Sequence, residues 1–192
     1  MKPTKPSLWV VFSLFILAVG AGWILLSRTG PDTTTDGKIP APRTGFLAPQ
    51  FTLYNQQGQP VQLSDLRGRP VLINFWASWC TPCQAEMPAM QKVYQDYQDQ
   101  GLEILAVNTT YQDDPQAVAS FVQEHGLSFP ILLDTDATAA GQYQVRALPT
   151  SFFVDADGII RDVVVGGPMA EALLRIRVEQ LIGRQAPLQE TP

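Results

Sequence analysis

The sequence predicts an α/β domain built around a central mixed β-sheet that is flanked by helices. Short apolar runs bounded by glycine and proline alternate with longer segments whose apolar residues recur at helical spacing. The chain then ends on a hairpin pattern followed by a helix pattern, which adds antiparallel strands to the sheet. Its 192 residues, 45% of them hydrophobic, suffice for one core of ordinary size together with appendages.

The predicted domain begins with a hairpin. Two strand candidates, at residues 51–54 and 61–63, are separated by six polar, glycine or proline residues. Ser64 and Asp65 follow and could cap a short helical turn. Residues 70–75 then form a continuous, β-branched apolar run, which is typical of a strand buried on both faces.

A long helix is predicted over residues 80–99, because their apolar side chains fall on one stripe. Pro88 lies inside it and should kink the helix rather than end it, since the stripe resumes afterwards. The remaining predicted elements are a strand at 102–107, a helix at 115–125, a strand at 129–133, a short helix at 137–143, two strands at 150–154 and 159–165, and a helix at 171–182.

An apolar segment at residues 8–26 precedes the domain. Its nineteen residues carry no charge, and as a helix they would span roughly 28 Å, close to the hydrocarbon thickness of a bilayer. Lys2 and Lys5 precede the segment, so the positive-inside rule places residues 1–7 in the cytoplasm and the domain outside. We therefore expect a single-pass anchor in the cell membrane.

A cleaved signal peptide is the alternative interpretation, since small residues at 18–22 offer a cleavage site. The apolar run continues beyond them to residue 26, which favours an uncleaved anchor, and both interpretations export the domain. Residues 27–45 have three prolines, three glycines and five threonines without apolar periodicity, so they are predicted to be a flexible linker. The domain is expected at 46–183 and a loose tail at 184–192.

The charge of the chain is distributed unevenly and excludes several functions. Residues 1–43 carry five basic and two acidic side chains, so the net −5 of the whole chain leaves −8 for residues 44–192. Such an acidic domain is not suited to nucleic acid, which requires clustered cations. Two cysteines and the single His125 cannot fill a closed zinc site unaided. We expect no metal and no cofactor.

The motif that carries chemistry follows the buried strand at residues 70–75. Cys80 and Cys83 form a Cys-x-x-Cys pair at the start of the predicted long helix. Unpaired N–H groups and the helix dipole favour negative charge there, so the pKa of the first thiol should fall. Two intervening residues bring the second sulfur back over one turn, close enough to attack a mixed disulfide at Cys80. The pair is therefore predicted to be a redox site.

The run VLINFWASWCTPC, together with Pro88 and the later Leu148–Thr150, resembles the thioredoxin superfamily. Within it, the sequence is most similar to the membrane-anchored TlpA, ResA and DsbE type of thiol–disulfide oxidoreductase, which has a redoxin, or AhpC/TSA-like, domain. The resemblance covers about residues 46–183 and includes the extra helix and strand between Pro115 and Leu133. It implies a thioredoxin-like fold with an N-terminal hairpin and an inserted helix and strand.

The resemblance also implies roles for individual residues. Cys80 matches the exposed nucleophile and Cys83 the buried resolving thiol of a redox-active disulfide. Pro149 matches a proline that is cis in this family, and the backbone of Leu148 would be offered to a substrate strand by edge pairing. Apart from the resemblance, Trp79 is expected to form an apolar rim for substrates, because it is adjacent to Cys80.

Glu86 matches the acidic residue that ResA-like proteins place beside the active site. Asn74 occupies the place where simple thioredoxins keep a buried aspartate, so Glu86 is the best remaining candidate to take a proton from Cys83. The alternative is that Glu86 lies in the first helical turn and only complements the helix dipole.

Other residues of these motifs are expected to have structural roles. Trp76 should pack in the core. Asp113 and Asp114 should be N-terminal charges of the next helix, and Gly166 and Gly167 should permit a close approach to the sheet.

The implied function is that of an extracytoplasmic thiol–disulfide oxidoreductase. Neither Thr81 nor Pro82, the residues between the cysteines, is a histidine, and the nearby acidic Glu86 disfavours the thiolate, so the pair should act as a reductant. A reductant outside the cytoplasm needs a transmembrane thiol electron donor. Its clients would be proteins with disulfides, such as the haem-binding cysteines of an apocytochrome c.

Two alternatives remain open at this point. One is an oxidant, isomerase or peroxide-reducing enzyme of the same fold, although Ile73 and Ala77 stand where a peroxiredoxin motif would have proline and threonine. The other is a tethered module that binds client strands without catalysis.

Overall fold

The computed structural model of the protein describes residues 39–183 and four helical positions nearer the N-terminus, Trp9, Ile16, Leu17 and Val19. The predicted anchor, apart from those four positions, most of the predicted linker and the predicted tail lie outside the described residues. Within the described part of the chain, no helix is both long and apolar enough to cross a membrane.

Strands and helices alternate over residues 39–183 in the predicted order. The strands are β1 (Thr52–Asn55), β2 (Pro60–Gln62), β3 (Val71–Trp76), β4 (Glu103–Asn108), β5 (Ile131–Leu133), β6 (Thr150–Val154) and β7 (Ile160–Val165), and the helices are α1 (Thr81–Tyr97), α2 (Pro115–Glu124), α3 (Thr138–Gln142) and α4 (Glu171–Gly183). The predicted α/β class is confirmed, and most boundaries agree within two residues.

The strands form one mixed sheet in the order β2-β1-β5-β4-β3-β6-β7. β3 pairs with β4 and β4 with β5 in parallel, whereas β1–β2, β1–β5, β3–β6 and β6–β7 are antiparallel. The predicted hairpins at the two ends of the domain are the β1–β2 and β6–β7 pairs. All six residues of β3 are buried, because this strand is covered on both faces and paired on both edges.

The alternation of side chains along β3 divides the core between the two faces of the sheet. Leu72 and Trp76 belong to a cluster with residues of α1, α2 and α4. Ile73 and Phe75 belong to a second cluster with β1, α3 and β6. Asn74, which has the same parity as Leu72 and Trp76, therefore lies on the face that α1 covers.

Helix α1 begins at the Cys-x-x-Cys motif and continues through Pro88, as predicted, to Tyr97. The Sγ atom of Cys80 accepts a hydrogen bond from the backbone N–H of Cys83, so Cys80 is the N-cap of the helix. A short 3₁₀ turn at 98–100 and Gly101, with a φ of 90°, end the segment before β4.

Two details of the N-terminal region differ from the predictions. The last residues of the predicted linker belong to the domain, because Ala41 N–H bonds to Leu47 O and Gly45 N–H to Ile160 O. The turn after β2 is a 3₁₀ helix that begins at Leu63, and neither Ser64 nor Asp65 caps it: the Ser64 hydroxyl contacts the Asp65 carboxylate instead.

Candidate active site

A disulfide joins Cys80 and Cys83 at the point where β3 leads into α1. Cys83 is fully buried, and Cys80 retains 5% of its exposure in this oxidised form. The implied exposed nucleophile is thus exposed only slightly more than its partner, but it is the cysteine that lines a surface depression. That arrangement leaves Cys80 as the sulfur that an approaching group meets first.

The segment before Cys80 is held by the carboxylate of Asp113. Its oxygens accept hydrogen bonds from the backbone N–H of Ser78 at 2.6 Å and from the Ser78 hydroxyl at 2.6 Å. The side-chain amide of Asn108, at the end of β4, donates to the same carboxylate at 2.8 Å. Asp113 lies just before α2, as expected, and has a further role that was not predicted, because three donors from β4 and the active-site segment converge on its carboxylate. Asp114 is the N-cap of α2, through a bond from Gln116 N–H.

Two further hydrogen bonds attach the same segment to its surroundings. The side-chain amide of Gln84 donates to Ser78 O at 2.5 Å, and the indole N–H of Trp79 donates to Gln112 O at 3.1 Å. Trp79 is still 57% exposed, so its ring projects from the surface next to Cys80. Trp76 is fully buried and packs near Phe121, as expected of a core residue.

The peptide bond between Leu148 and Pro149 is cis, as the resemblance implies. Leu148 lines a depression of about 510 Å³ together with Trp79 and Cys80, so the structure brings these three predicted residues to one surface. Pro149 is buried behind this surface, and its carbonyl oxygen accepts a bond of 2.7 Å from Gly166 N–H.

Glu86 lies one helical turn after Cys83 and is only 1% exposed. Its Oε1 atom accepts a hydrogen bond of 2.8 Å from the side-chain amide of Asn74, and its Oε2 atom accepts one of 3.0 Å from Met169 N–H. The same Asn74 amide donates to the Ser151 hydroxyl at 2.9 Å. Glu86 is therefore a buried residue of the second turn of α1, and the alternative of a first-turn glutamate that only complements the dipole is wrong.

Burial raises the pKa of Glu86 above that of a free glutamate, while the bonds from Met169 N–H and the Asn74 amide lower it in part. The Oδ1 atom of Asn74 is buried and has no hydrogen-bond partner among the described residues. A protonated Glu86 would need an acceptor for its new O–H, and rotation of the Asn74 amide would present Oδ1 to it. An amide at position 74 thus suits both protonation states of Glu86.

Gly167 lies against both Pro149 and Glu86. A Cβ atom at this position would come within 2.7 Å of Pro149 Cγ and 2.9 Å of Glu86 Oε2. The expected close approach is therefore made to the proline and the glutamate rather than to the sheet in general.

Several residues of the site had no signal in the sequence patterns. Asp113, Ser78, Met169 and Ser151 are brought to the disulfide or to Glu86 by contacts between distant segments, which periodicity does not report. Within the described part of the chain, no three histidine, cysteine or carboxylate side chains come together in a way that could hold a metal ion.

Comparison with known proteins gives consistent relatives. The AhpC/TSA family matches residues 44–163. The thiol-disulfide oxidoreductase ResA of Bacillus thuringiensis (strain Al Hakam) is 40% identical over 129 residues, 67% of this chain and 73% of that protein. ResA of Geobacillus kaustophilus (strain HTA426) is 36% identical over 163 residues, 84% and 88% of the two chains.

Solved structures agree with these sequence relatives. A secreted Mycobacterium tuberculosis disulfide oxidoreductase, described as homologous to E. coli DsbE, matches with a TM-score of 0.64 and 30% identity. The match covers 69% of this chain and 96% of that one.

The first prediction concerns the space at Gly167. Gly167→Ala should lower the free energy of unfolding by about 1–3 kcal/mol, because neither the Pro149 ring nor the buried Glu86 can move aside easily. Gly141→Ala is the matched control: it lies inside α3 with open space around it, so it should be neutral or stabilise by up to ~1 kcal/mol. Urea unfolding of the oxidised full-length protein measures both, and equal effects would contradict the crowding at Gly167.

The second prediction concerns the charge of Glu86. Because burial raises its pKa in the folded state, the folded protein retains this proton to a higher pH than the unfolded chain does. The wild type should therefore lose stability relative to Glu86→Gln as the pH rises, by about 1.4 kcal/mol for each unit of pKa elevation. Urea unfolding of the oxidised proteins between pH 4 and 8 measures this difference as a function of pH.

The oxidised form is used because its cysteines do not titrate, and any fixed cost of the glutamine amide leaves the pH dependence unchanged. Glu124→Gln removes an exposed carboxylate from α2 and controls for the loss of one negative charge. A difference that grows in favour of the wild type as the pH rises would refute the assignment.

Proposed function

The chain belongs to the AhpC/TSA family and is a thiol–disulfide oxidoreductase of the ResA and DsbE type, and we propose that it reduces disulfides of client proteins outside the cytoplasm. The observation that carries the proposal is the Cys80–Cys83 disulfide at the edge of an open depression. Cys80, the more exposed cysteine, would meet client proteins, and the buried Cys83 lies within bonding distance of it.

The proposed reaction starts from the reduced pair. The Cys80 thiolate attacks one sulfur of a client disulfide, forms a mixed disulfide with it, and releases the other client sulfur as a thiolate. The Cys83 thiolate then attacks Cys80 Sγ, which releases the second client sulfur and closes the Cys80–Cys83 disulfide. Two electrons pass from the protein to the client, and the two protons of the dithiol end on the client thiols.

The start of α1 stabilises the thiolate that this reaction needs at Cys80. The backbone N–H of Cys83 lies 3.3 Å from Cys80 Sγ and donates to it, and the dipole of α1 favours negative charge at the same place. We assign to Glu86 the role of proton acceptor for Cys83, one turn away. Burial raises the pKa of Glu86 toward that of a thiol, which makes the proton transfer less unfavourable.

Client proteins would bind along the depression that Trp79 and Leu148 line. Trp79 presents an exposed indole ring, and the backbone of Leu148 precedes the cis Pro149 at the start of β6. An extended client segment would pair with this backbone as an added β-strand. Its cysteine would then approach Cys80 from the open side.

The side chains of the motif itself support a reducing role. Neither residue between the cysteines is cationic, and the Glu86 carboxylate is one turn away, so these side chains add little to the stabilisation that the start of α1 gives the thiolate. A less stable dithiol is a stronger reductant. The same groups would catalyse the reverse reaction as an oxidant, and the reduction potential distinguishes the two.

The cellular setting belongs to the same proposal. The uncharged run at residues 8–26, preceded by Lys2 and Lys5, supports an anchor with the domain on the extracytoplasmic side. A reductant in that position requires a membrane-embedded dithiol protein that passes electrons from the cytosol. The haem-binding cysteines of an apocytochrome c are the proposed client, by analogy with ResA-type proteins.

Clients can be captured on Cys80 in the native membrane. Full-length Cys83→Ser should accumulate mixed disulfides, because nothing then displaces the client from Cys80. Cys80→Ser is the matched control and should capture almost nothing, since Cys83 is fully buried. An apocytochrome c among the captured proteins would support the proposed client. Equal capture by the two variants would contradict the assignment of Cys80 as nucleophile.

The reduction potential tests the direction. Equilibration of the full-length protein with defined thiol buffers should give a value nearer about −270 mV than about −120 mV. Pro82→His, which places an imidazole between the cysteines, should raise the potential because a cation stabilises the thiolate. A wild-type value near the upper figure would overturn the reductant and favour the oxidant.

A further inference from the structure

A second depression adjoins the one beside Cys80. The first, of about 510 Å³, and the second, of about 360 Å³, are both lined by Tyr111, Val145 and Arg146. Three shared residues place the two depressions side by side, and we call them together the groove, which extends from Cys80 past Tyr111 to α3. The groove is longer than contact with a single cysteine requires, so it can accept a client segment of several residues.

Among the described residues that line the two depressions, Arg146 is the only charged one. Its side chain is exposed, and no carboxylate of residues 39–183 forms an ion pair with it. Most other cations are engaged: of the eight basic residues in this range, Arg69, Lys92, Arg161, Arg175 and Arg177 pair with carboxylates, and Arg67 bonds to a backbone carbonyl.

Three carboxylates lie within two positions of groove-lining residues in sequence, and each already accepts hydrogen bonds. Asp113 binds Ser78 and Asn108, and both Asp114 and Asp136 accept from the backbone N–H two residues further along the chain. Arg146 therefore keeps its positive charge available in the groove. It does so on a domain that is otherwise acidic, with eight basic and fifteen acidic side chains between residues 39 and 183.

The walls of the groove are aromatic and apolar around this charge. Trp79 is 57% exposed and Tyr111 is 44% exposed, and Val145 and Leu148 add aliphatic surface. An extended polypeptide segment that places apolar side chains on these walls would meet a single cation. The chemistry that complements it is a carboxylate.

We infer that Arg146 selects client segments that carry an aspartate or glutamate within a few residues of their reactive cysteine. The inference rests on the proposed function, since it names the substrate class of the same site. Arg146 is a specificity residue in it, because it touches the client outside the reacting sulfurs. An exposed pair of this kind changes rates by about two- to fivefold at low ionic strength, and salt screens the effect.

The test uses three peptides that share one internal disulfide and differ only in the flanking residues, which are glutamate, glutamine or lysine. The second-order rate of their reduction by the reduced full-length protein is measured at low salt. For the wild type we expect the acidic peptide to react about two- to fivefold faster than the neutral one. Roughly 0.5 M salt should remove most of the preference.

Substitutions test whether Arg146 causes the preference for the acidic peptide. Arg146→Gln should bring the ratio of acidic to neutral rates to one or below, because the remaining surface is acidic. Arg146→Lys should retain at least half of the preference. Lys92→Gln is the matched control. It removes one positive charge from α1 at a position twelve residues after Cys80, about 18 Å away, so the ratio should stay unchanged. A wild-type ratio of one, or a ratio that Arg146→Gln leaves unchanged, overturns the inference.

A neutral small molecule, 2-hydroxyethyl disulfide, separates this result from the proposed function. If the wild type reduces 2-hydroxyethyl disulfide, and reduces the three peptides at equal rates, the proposed function stands and the charge preference is refuted. If the wild type reduces none of the four substrates, the reductase function is refuted. The charge preference is then measured as the affinity of serine-containing versions of the peptides, with the same ratios expected.

Discussion

A buried carboxylate connects the elements that surround the disulfide. Glu86, on α1, accepts hydrogen bonds from Asn74 on the central strand β3 and from the backbone of Met169, just before α4. It also lies against Gly167, which in turn contacts Pro149. Burying a carboxylate is costly, and only well-placed donors offset that cost. The positions of the helix, the strand and the cis-proline segment therefore depend on one another through this group.

A second carboxylate holds the other side of the motif. Asp113 accepts both hydrogen bonds that Ser78 offers and one from Asn108, so the segment before Cys80 is attached to the end of β4. Together with the bond between Trp79 and Gln112, this attachment fixes the segment that leads into Cys80. A segment that is already fixed in place loses less conformational entropy when another molecule binds beside it.

The predictability of the site differs from residue to residue for physical reasons. Cys80 and Cys83 can be proposed from their local spacing at a helix start, whereas Glu86 can be proposed only from the resemblance to ResA-like proteins. The further role of Asp113 has no local signal, since its position before α2 is that of an ordinary helix terminus while its partners lie on other elements. The isolated charge of Arg146 could not be recognised, because it depends on which carboxylates the fold leaves elsewhere.

The sequence by itself determined the α/β class, the order of the elements and the placement of the Cys-x-x-Cys pair at the start of a helix. Each of these follows from periodicity and from turn residues, which act over a few neighbouring positions. Only the tertiary structure decided which side chains meet. The partners of Glu86 and Asp113, and the groove that joins Cys80 to Arg146, require segments far apart in the chain to pack together. Contacts of that kind are selected by the whole core, so no short pattern encodes them.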